Sequence, residues 1–345
     1  MPSSGTRHTA LVTTNKVRTR LWREGKLEQD DFPLEQLSNF LDDETALVWV
    51  DLCEPDHVRL NALAEELSLD RHAVEDAIAQ GERPKVMRYK THTFVTAYAT
   101  RLESVDADPL LSRLRTTRVS AFLLPRAMVT VRSNPDFDFE EVTERWDENA
   151  DLLALGPAAL LHGLLDVIVD GHFETIQQLD DAIESLEDGL FDEQARTREI
   201  QQNTYRVRKE LVELRRVVLP MREVVNAILR HRTDHRANGN ELDGWYSDLY
   251  DHVLRASEWT ESLRDMVTTV FETNLSLQDA RLNTVMKQLT GWAAIIAVPT
   301  AVTGWFGQNV PYPGFGKPAG FVATSVLIVV LAIGLYAVFR RRGWL

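Results

Sequence analysis

The sequence predicts an α/β N-terminal cytoplasmic domain, followed by long α-helices and a C-terminal two-helix transmembrane hairpin. Two apolar stretches near the C-terminal end, Leu289–Phe306 and Phe321–Phe339, contain 18 and 19 residues and no acidic, basic or histidine side chain. Each is long enough to cross the core of a bilayer as a helix. The first 288 residues contain no comparable apolar run, so they predict a soluble part that is large enough to build its own core.

Short strand-type runs alternate with helical patterns over residues 1–150. The helix after Ala46–Leu52 is expected to begin at Asp56, a favoured N-cap residue. Pro125–Arg126 is typical of a hairpin turn. Together these signals predict a sheet covered by helices. The predicted strands lie near residues 8–22, 47–52, 86–102 and 119–131.

Long helical patterns follow this region. Apolar residues recur at helical spacing over Pro157–Glu193 and again over Thr197–Arg230, where Pro220 predicts a kink. From Trp245 to Phe306 the first proline is Pro299, which predicts one helix of roughly 90 Å that starts in the cytoplasm and enters the membrane. The predicted regions are the α/β domain (1–150), the long helices (151–240), the stalk helix with the first span (241–306), the outer loop (307–320), the second span (321–339) and the basic tail (340–345).

Charge and composition argue against several classes of function. The net charge of -14, from 52 acidic and 38 basic residues, argues against nucleic acid as a partner. The single cysteine, Cys53, excludes an internal disulfide and a multi-cysteine metal site. The sequence has no glycine-rich phosphate loop and no HExxH or nucleophile motif, so it does not predict an enzyme.

Charge also predicts the orientation in a cell membrane. Arg281 and Lys287 precede the first apolar stretch and Arg340–Arg342 follow the second, whereas the loop between the stretches has only Lys317. Positive residues concentrate on the inner side of membrane proteins, and the N-terminus lacks the pattern of a signal peptide. Both termini are therefore expected in the cytoplasm, with residues 307–320 outside.

Apart from Met286, one face of the first span and of the residues just before it carries small or polar residues, with bulky apolar residues elsewhere around the helix. We call this face the stripe; its members are Asn283, Met286, Thr290, Ala293, Ala297, Thr300, Gly304 and Gly307. Such a face suits either close packing against the second span or the lining of a narrow, wet path. One helix cannot enclose a path, so the second interpretation requires a ring of identical chains.

The C-terminal motifs comprise Arg281–Thr290, the apolar span, Gly304–Asn309, and a second span that ends in Arg340–Leu345. In this order they resemble the CorA family of divalent-cation channels. The family carries Gly-Met-Asn at the outer end of the first span, and this chain carries Gly307-Gln308-Asn309. The order of the α/β region, the long helices and the hairpin extends the resemblance over nearly the whole chain.

The resemblance implies a homopentamer in the bilayer that conducts Mg²⁺, with Co²⁺ or Ni²⁺ as further candidate ions and no bound cofactor. Gly307, Gln308 and Asn309 would hold the hydrated cation at the outer mouth, because Mg²⁺ gives up its water reluctantly. Asn283 and Thr300 would form polar rings, and Met286 with Leu289 an apolar constriction that closes by dewetting. The remaining lining residues would be Thr290, Ala293, Ala297 and Gly304.

The resemblance also implies cytoplasmic acids that sense internal metal. Asp248 matches the position of a family sensor aspartate, with Asp251 as a near alternative, and Glu82 and Asp76 are candidates for the partner acid. Arg340, Arg341 and Arg342 would form a basic collar. Gln308 and the acid-free outer loop keep a proton-coupled zinc transporter of the ZntB type open as an alternative. A membrane-anchored scaffold that transports nothing is the other alternative.

Overall fold

A computed structural model of the chain describes residues 17–105, 108–190, 197–234, 241–308, 311 and 313–345. The chain divides into two compact units, Met1–Val270 and Phe271–Leu345. Because helix α8 (Glu241–Phe306) contains the boundary, it contributes residues to both units. Each unit is described by itself below.

The first unit is built on a seven-stranded sheet with the order β2-β1-β3-β7-β6-β5-β4. β3 and β7 pair in parallel, and the other neighbouring strands pair antiparallel. The strands are β1 (Val17–Arg23), β2 (Lys26–Asp30), β3 (Ala46–Cys53), β4 (Lys85–Arg88), β5 (Thr93–Val105), β6 (Asp108–Leu123) and β7 (Ala127–Arg132).

Helices connect the strands and then dominate the chain after residue 140. In addition to α8, they are α1 (Leu37–Leu41), α2 (His57–Glu66), α3 (Arg71–Ile78), α4 (Glu140–Glu148), α5 (Ala150–Leu153), α6 (Pro157–Leu190), α7 (Thr197–Asp234) and α9 (Pro318–Arg341), with a 3₁₀ turn at Leu34–Gln36. α7 continues through Pro220, and α8 continues through Pro299.

Two hydrophobic cores form because successive side chains of a strand point to opposite faces of the sheet. Val48 and Val50 of β3 pack in the core that α1, α2 and α3 share. Trp49, between them in sequence, belongs to the second core, which also contains buried residues of α6, α7 and the start of α8. The long helices before residue 270 thus share one core with the sheet.

The structure confirms the predicted fold class and several local signals. The Asp56 carboxylate caps α2 by accepting a hydrogen bond from the Arg59 N–H at 2.7 Å. The hairpin at Pro125–Arg126 joins β6 to β7. The predicted helices after residue 150 correspond to α6, α7 and α8, and the second apolar stretch lies inside α9.

Several strand boundaries differ from the prediction. Residues 86–102 form two antiparallel strands, because a turn in which the Tyr89 N–H donates to the His92 carbonyl reverses the chain. β2 was not predicted, since its sequence Lys-Leu-Glu-Gln-Asp is polar and every residue is exposed at the sheet edge. β6 begins eleven residues earlier than expected, at Asp108. Residues 8–16 of the first predicted strand lie outside the described part of the chain.

Within the residues that the structure describes, two helices, α8 and α9, are long and apolar enough to cross a membrane. The most apolar 18-residue windows of α8 and α9 have mean hydropathies of 1.4 and 2.6. Only 6% and 0% of these windows is buried inside the chain, so neither window is the hidden core of a soluble domain. After α8, Gly314 and Gly316 adopt positive φ angles of 97° and 72°, and a Cβ on Gly320 would collide with the Gly314 carbonyl oxygen.

Candidate functional site

All but one of the stripe residues lie on the uninterrupted helix α8, Gly307 follows its last residue, and the structure leaves the stripe uncovered within the chain. Its eight residues, from Asn283 to Gly307, are all exposed. The side chain of Met286 is 60% exposed, and that of Leu289 beside it is 63% exposed. The two bulky side chains therefore lie near the N-terminal end of an otherwise small and polar face.

The face of α8 that packs within the hairpin is a different one. Gly291 is buried, and a Cβ there would lie 3.4 Å from Leu345, while Trp292 and Tyr336 have ring centroids 6.4 Å apart. Partly buried residues recur at helical spacing on both helices, which identifies the two packing faces. They are Ala294, Ile295, Val298, Pro299, Val302 and Phe306 on α8, and Thr324, Ser325, Ile328, Ala332, Leu335 and Phe339 on α9.

The stripe and this packing face point in nearly opposite directions. At about 100° per residue, their mean directions around α8 differ by roughly 160°. The second span is thus packed on the far side of α8 from the stripe. The packing seam within the hairpin does not account for the small residues of the stripe.

Hydroxyl groups near the C-terminal half of the stripe are bonded to their own helix. The Thr300 hydroxyl donates to the Ile296 carbonyl at 3.4 Å, and the Thr303 hydroxyl donates to the Pro299 carbonyl at 2.8 Å. Because the hydroxyl hydrogen points to the backbone, the lone pairs of the oxygen remain available as acceptors. Acceptor oxygens are the groups that bind hard cations or their water.

α8 ends at the tripeptide of interest. The Gly307 N–H donates to the Thr303 carbonyl at 2.8 Å, and the Gln308 N–H donates to the Trp305 carbonyl at 3.4 Å. A Cβ at position 307 would lie 2.9 Å from the Thr303 carbonyl oxygen, so the turn requires glycine. The Gln308 side chain is exposed. Asn309 lies outside the described residues.

The predicted cytoplasmic acids lie on the first part of α8. The Asp248 side chain is 71% exposed and its carboxylate lies 3.7 Å from His252 Nε2; Asp251 is exposed as well. Within the described ranges, no group of three or more histidine, cysteine, aspartate or glutamate side chains could hold a metal ion. Asp248 and Asp251 therefore do not form a complete metal site with other described residues of the same chain.

The two candidate partner acids are held elsewhere. The Lys85 ammonium bonds both the Asp76 carboxylate, at 2.7 Å, and the Glu82 carboxylate, at 2.6 Å. Burial lowers the pKa of Lys85, but its bonds to the two carboxylates outweigh burial, so its pKa is raised. Asp76 and Glu82 therefore lie together around one cation of their own chain.

A partly buried charge cluster near Asp248 was not predicted from the sequence. Arg145 of α4 donates to Asp166, and at 2.9 Å to Asp170, both of α6. Burial raises the pKa of Asp166, while the nearby Arg145 and His162 charges oppose the rise. The sequence signal was a repeat of aspartates four residues apart on one helix face, but the arginine comes from a distant helix.

The predicted basic collar lies at the end of α9. Arg340 and Arg341 are in its last turn and Arg342 follows it, and all three side chains are exposed. Cations at a helix C-terminus interact favourably with the helix dipole. Trp344 stacks on Phe339 with ring centroids 5.3 Å apart.

Comparison with known proteins agrees with this architecture. The family model described as CorA-like Mg²⁺ transporter protein matches residues 44–341. The chain belongs to this family, which is a family of membrane-embedded transporters and not of enzymes.

Individual relatives match over most of their length. YfjQ of Bacillus subtilis strain 168 is 27% identical over 315 residues, which cover 91% of this chain and 94% of YfjQ. The cobalt/magnesium transport protein CorA of Thermotoga maritima is 26% identical, with 97% and 95% covered. The complete structure of the CorA magnesium transporter from Methanocaldococcus jannaschii has the same fold, with a TM-score of 0.72, 21% identity, and coverage of 95% of this chain and 98% of that one.

Proposed function

We propose that the protein is a divalent metal cation channel, selective for Mg²⁺ with Co²⁺ and Ni²⁺ as further substrates, formed by a homopentamer and gated by intracellular metal. Family membership supports cation transport. The observation that supports a pore is the stripe, which is exposed in the chain and points away from the second span. A small, polar face that its own hairpin leaves open is the face that copies of the chain would bring together.

In this ring, copies of α8 stand inside and copies of α9 stand outside. Gly304, Ala297 and Ala293 leave room for a hydrated ion, and Thr300 and Asn283 supply acceptor oxygens to its water shell. Gly307, Gln308 and Asn309 form the outer mouth in the same proposal. Met286 and Leu289 form the apolar constriction, which closes by dewetting when the ring narrows.

In this proposal, gating depends on a metal site of which a single chain supplies only some of the acids. Asp248 is exposed, and Asp251 beside it is a second carboxylate on the same helix. A cation between these groups and an acid of a neighbouring copy would hold the ring closed, and loss of the cation would let the like charges repel and open it. Both termini lie in the cytoplasm in this arrangement.

Ion flux into proteoliposomes tests the proposal. We expect Mg²⁺ influx in the wild type and its loss in Ala297→Trp, because five indoles would fill the ring at one level. Ala323→Trp is the matched control, since Ala323 is exposed on α9 opposite the face that meets α8. Equal flux in the two variants would contradict a pore along the stripe. Absence of flux for every divalent ion would favour the scaffold alternative.

The same vesicles identify the ion and its coupling. Mg²⁺, Co²⁺, Ni²⁺ and Zn²⁺ are compared with and without a pH gradient. Channel conduction predicts flux that follows the gradient of the metal alone, and Asn309→Ala should reduce it. Zn²⁺ flux that requires a pH gradient would instead establish the proton-coupled alternative.

Native mass spectrometry tests the assembly. We expect a mass of about five chains in detergent and in nanodiscs, since a ring is needed to enclose a path between single α8 helices. A protein that remains monomeric in both media would contradict the ring and with it the pore.

A further inference from the structure

Arg118 of β6 is a buried guanidinium that pairs with no carboxylate in the part of the chain that the structure describes. Its side chain is 6% exposed. Its Nη2 donates to the Ala77 carbonyl at 2.7 Å, and its Nε is buried with no hydrogen-bond partner. No carboxylate forms an ion pair with it anywhere in the described ranges. An arginine keeps its charge in proteins, so this charge is buried without compensation.

The neighbouring strand supplies an internal comparison. Arg132 of β7 is equally buried, with 4% of its side chain exposed, but it pairs with the Asp51 carboxylate at 2.6 Å. Arg132 thus has an acid as its counter-charge in the same sheet. Buried charges are ordinarily paired, and Arg118 departs from that rule.

Arg118 lines a pocket of about 410 Å³ at the end of α3. We call this the Arg118 pocket; it is lined by Arg118, Tyr98, Gln80, Gly81, Ser133 and Glu54, among others. The Tyr98 hydroxyl donates to the Glu82 backbone carbonyl at 2.5 Å. Burial raises the pKa of Tyr98, and the charge of the nearby Arg118 opposes that rise. Glu54 is the one carboxylate among the lining residues within the described ranges, and it is exposed.

We propose that the Arg118 pocket binds a phosphate group, either free or carried by a nucleotide. The guanidinium carries its N–H donors in a planar fork, of which Nε has no partner in the structure, and this geometry matches two oxygens of a phosphate. The pocket has the volume of a small-molecule site, and the anion would supply the missing counter-charge. The site lies in the soluble part of the chain and does not depend on the proposed pore.

Binding is measured by calorimetry on the full-length protein in detergent, without divalent cations so that neither anion acts by chelation. Inorganic phosphate and ATP are titrated separately, at constant ionic strength set with chloride. Binding of phosphate itself identifies the free anion as sufficient, whereas binding of ATP alone identifies the nucleotide. Binding of neither above the chloride background would overturn the proposal.

Variants locate the site. Arg118→Met is expected to weaken binding by at least about tenfold, because a charge-assisted bidentate contact is lost. Arg115→Met is the matched control, since Arg115 lies three residues away on the same strand, is exposed and pairs with Glu103. Equal affinity in Arg118→Met and wild type would overturn the proposal.

Substitutions at two exposed residues on the rim of the Arg118 pocket provide a second test if Arg118→Met does not fold. Gln80→Glu adds a negative charge and should weaken anion binding, while Glu54→Gln removes one and should strengthen it. These opposite shifts would support the site. Binding that is indifferent to both substitutions would place the anion elsewhere and overturn the proposal.

Discussion

The ion pair between Asp51 and Arg132 gives a sharp test of the fold, because both side chains are almost completely buried. Asp51 is 0% exposed and accepts hydrogen bonds from Arg132 Nε at 2.9 Å, Arg132 Nη2 at 2.6 Å and the Thr130 hydroxyl at 2.7 Å. Arg132 is fixed further by Nη1, which donates to the Phe137 carbonyl at 2.5 Å. Its guanidinium also lies 5.2 Å from the Phe139 ring centroid.

Asp51→Asn keeps the shape of the side chain and removes its charge. The guanidinium would then remain buried without a counter-charge, which costs about 3–5 kcal/mol of unfolding free energy. In a unit of this size, that cost lowers the melting temperature by roughly 10 °C. The assay is thermal unfolding of the full chain in detergent, followed by circular dichroism.

A double variant that removes both charges shows whether the cost of Asp51→Asn comes from the unpaired guanidinium or from the loss of the ion pair itself. Asp51→Leu with Arg132→Met replaces the pair by apolar side chains, and such replacements are often close to neutral. We expect it to recover at least half of the melting temperature that Asp51→Asn loses. An Asp51→Asn protein that melts within about 2 °C of the wild type would refute the reasoning, because a buried uncompensated charge must be costly.

Two further predictions concern pH and the turn after α8. Burial lowers the pKa of His172 from 6.5 to about 4, so the imidazole binds a proton less readily in the folded state than in the unfolded chain. The free energy of unfolding should therefore fall by about 3 kcal/mol as the pH drops from 7 to 4. His172→Gln should remove that part of the pH dependence in denaturant titrations, and an unchanged pH profile would contradict it. Gly307→Ala would place a Cβ 2.9 Å from the Thr303 carbonyl oxygen, so we expect severalfold lower flux with normal expression; wild-type flux would show that the turn tolerates a side chain.

The sequence could predict features that depend on neighbouring residues. The two spans are continuous apolar runs, and each run carries its own signal in length and hydropathy. Asp56 and Pro125–Arg126 predicted a cap and a turn for the same reason, since both are local chemistry. The stripe could be identified because helical spacing alone places its members on one face.

Features that depend on distant residues could not be predicted. Small residues at helical spacing suit a packing seam as well as a pore, and only the position of α9 on the other side of α8 separates the two faces. Asp51 and Arg132 are 81 residues apart and meet because β3 and β7 pair in parallel. The Arg118 pocket combines β6 with the end of α3.

Cysteine accessibility tests the central claim, that the stripe of α8 lines the path of the ion. The single native cysteine, Cys53, is buried and is replaced by serine. Thr300→Cys on the stripe and Ala323→Cys on α9 are then treated with a charged, water-soluble thiol reagent during Mg²⁺ flux. We predict that the reagent blocks flux in Thr300→Cys and leaves Ala323→Cys unaffected. Full flux in a Thr300→Cys protein shown by mass to be modified would contradict the claim.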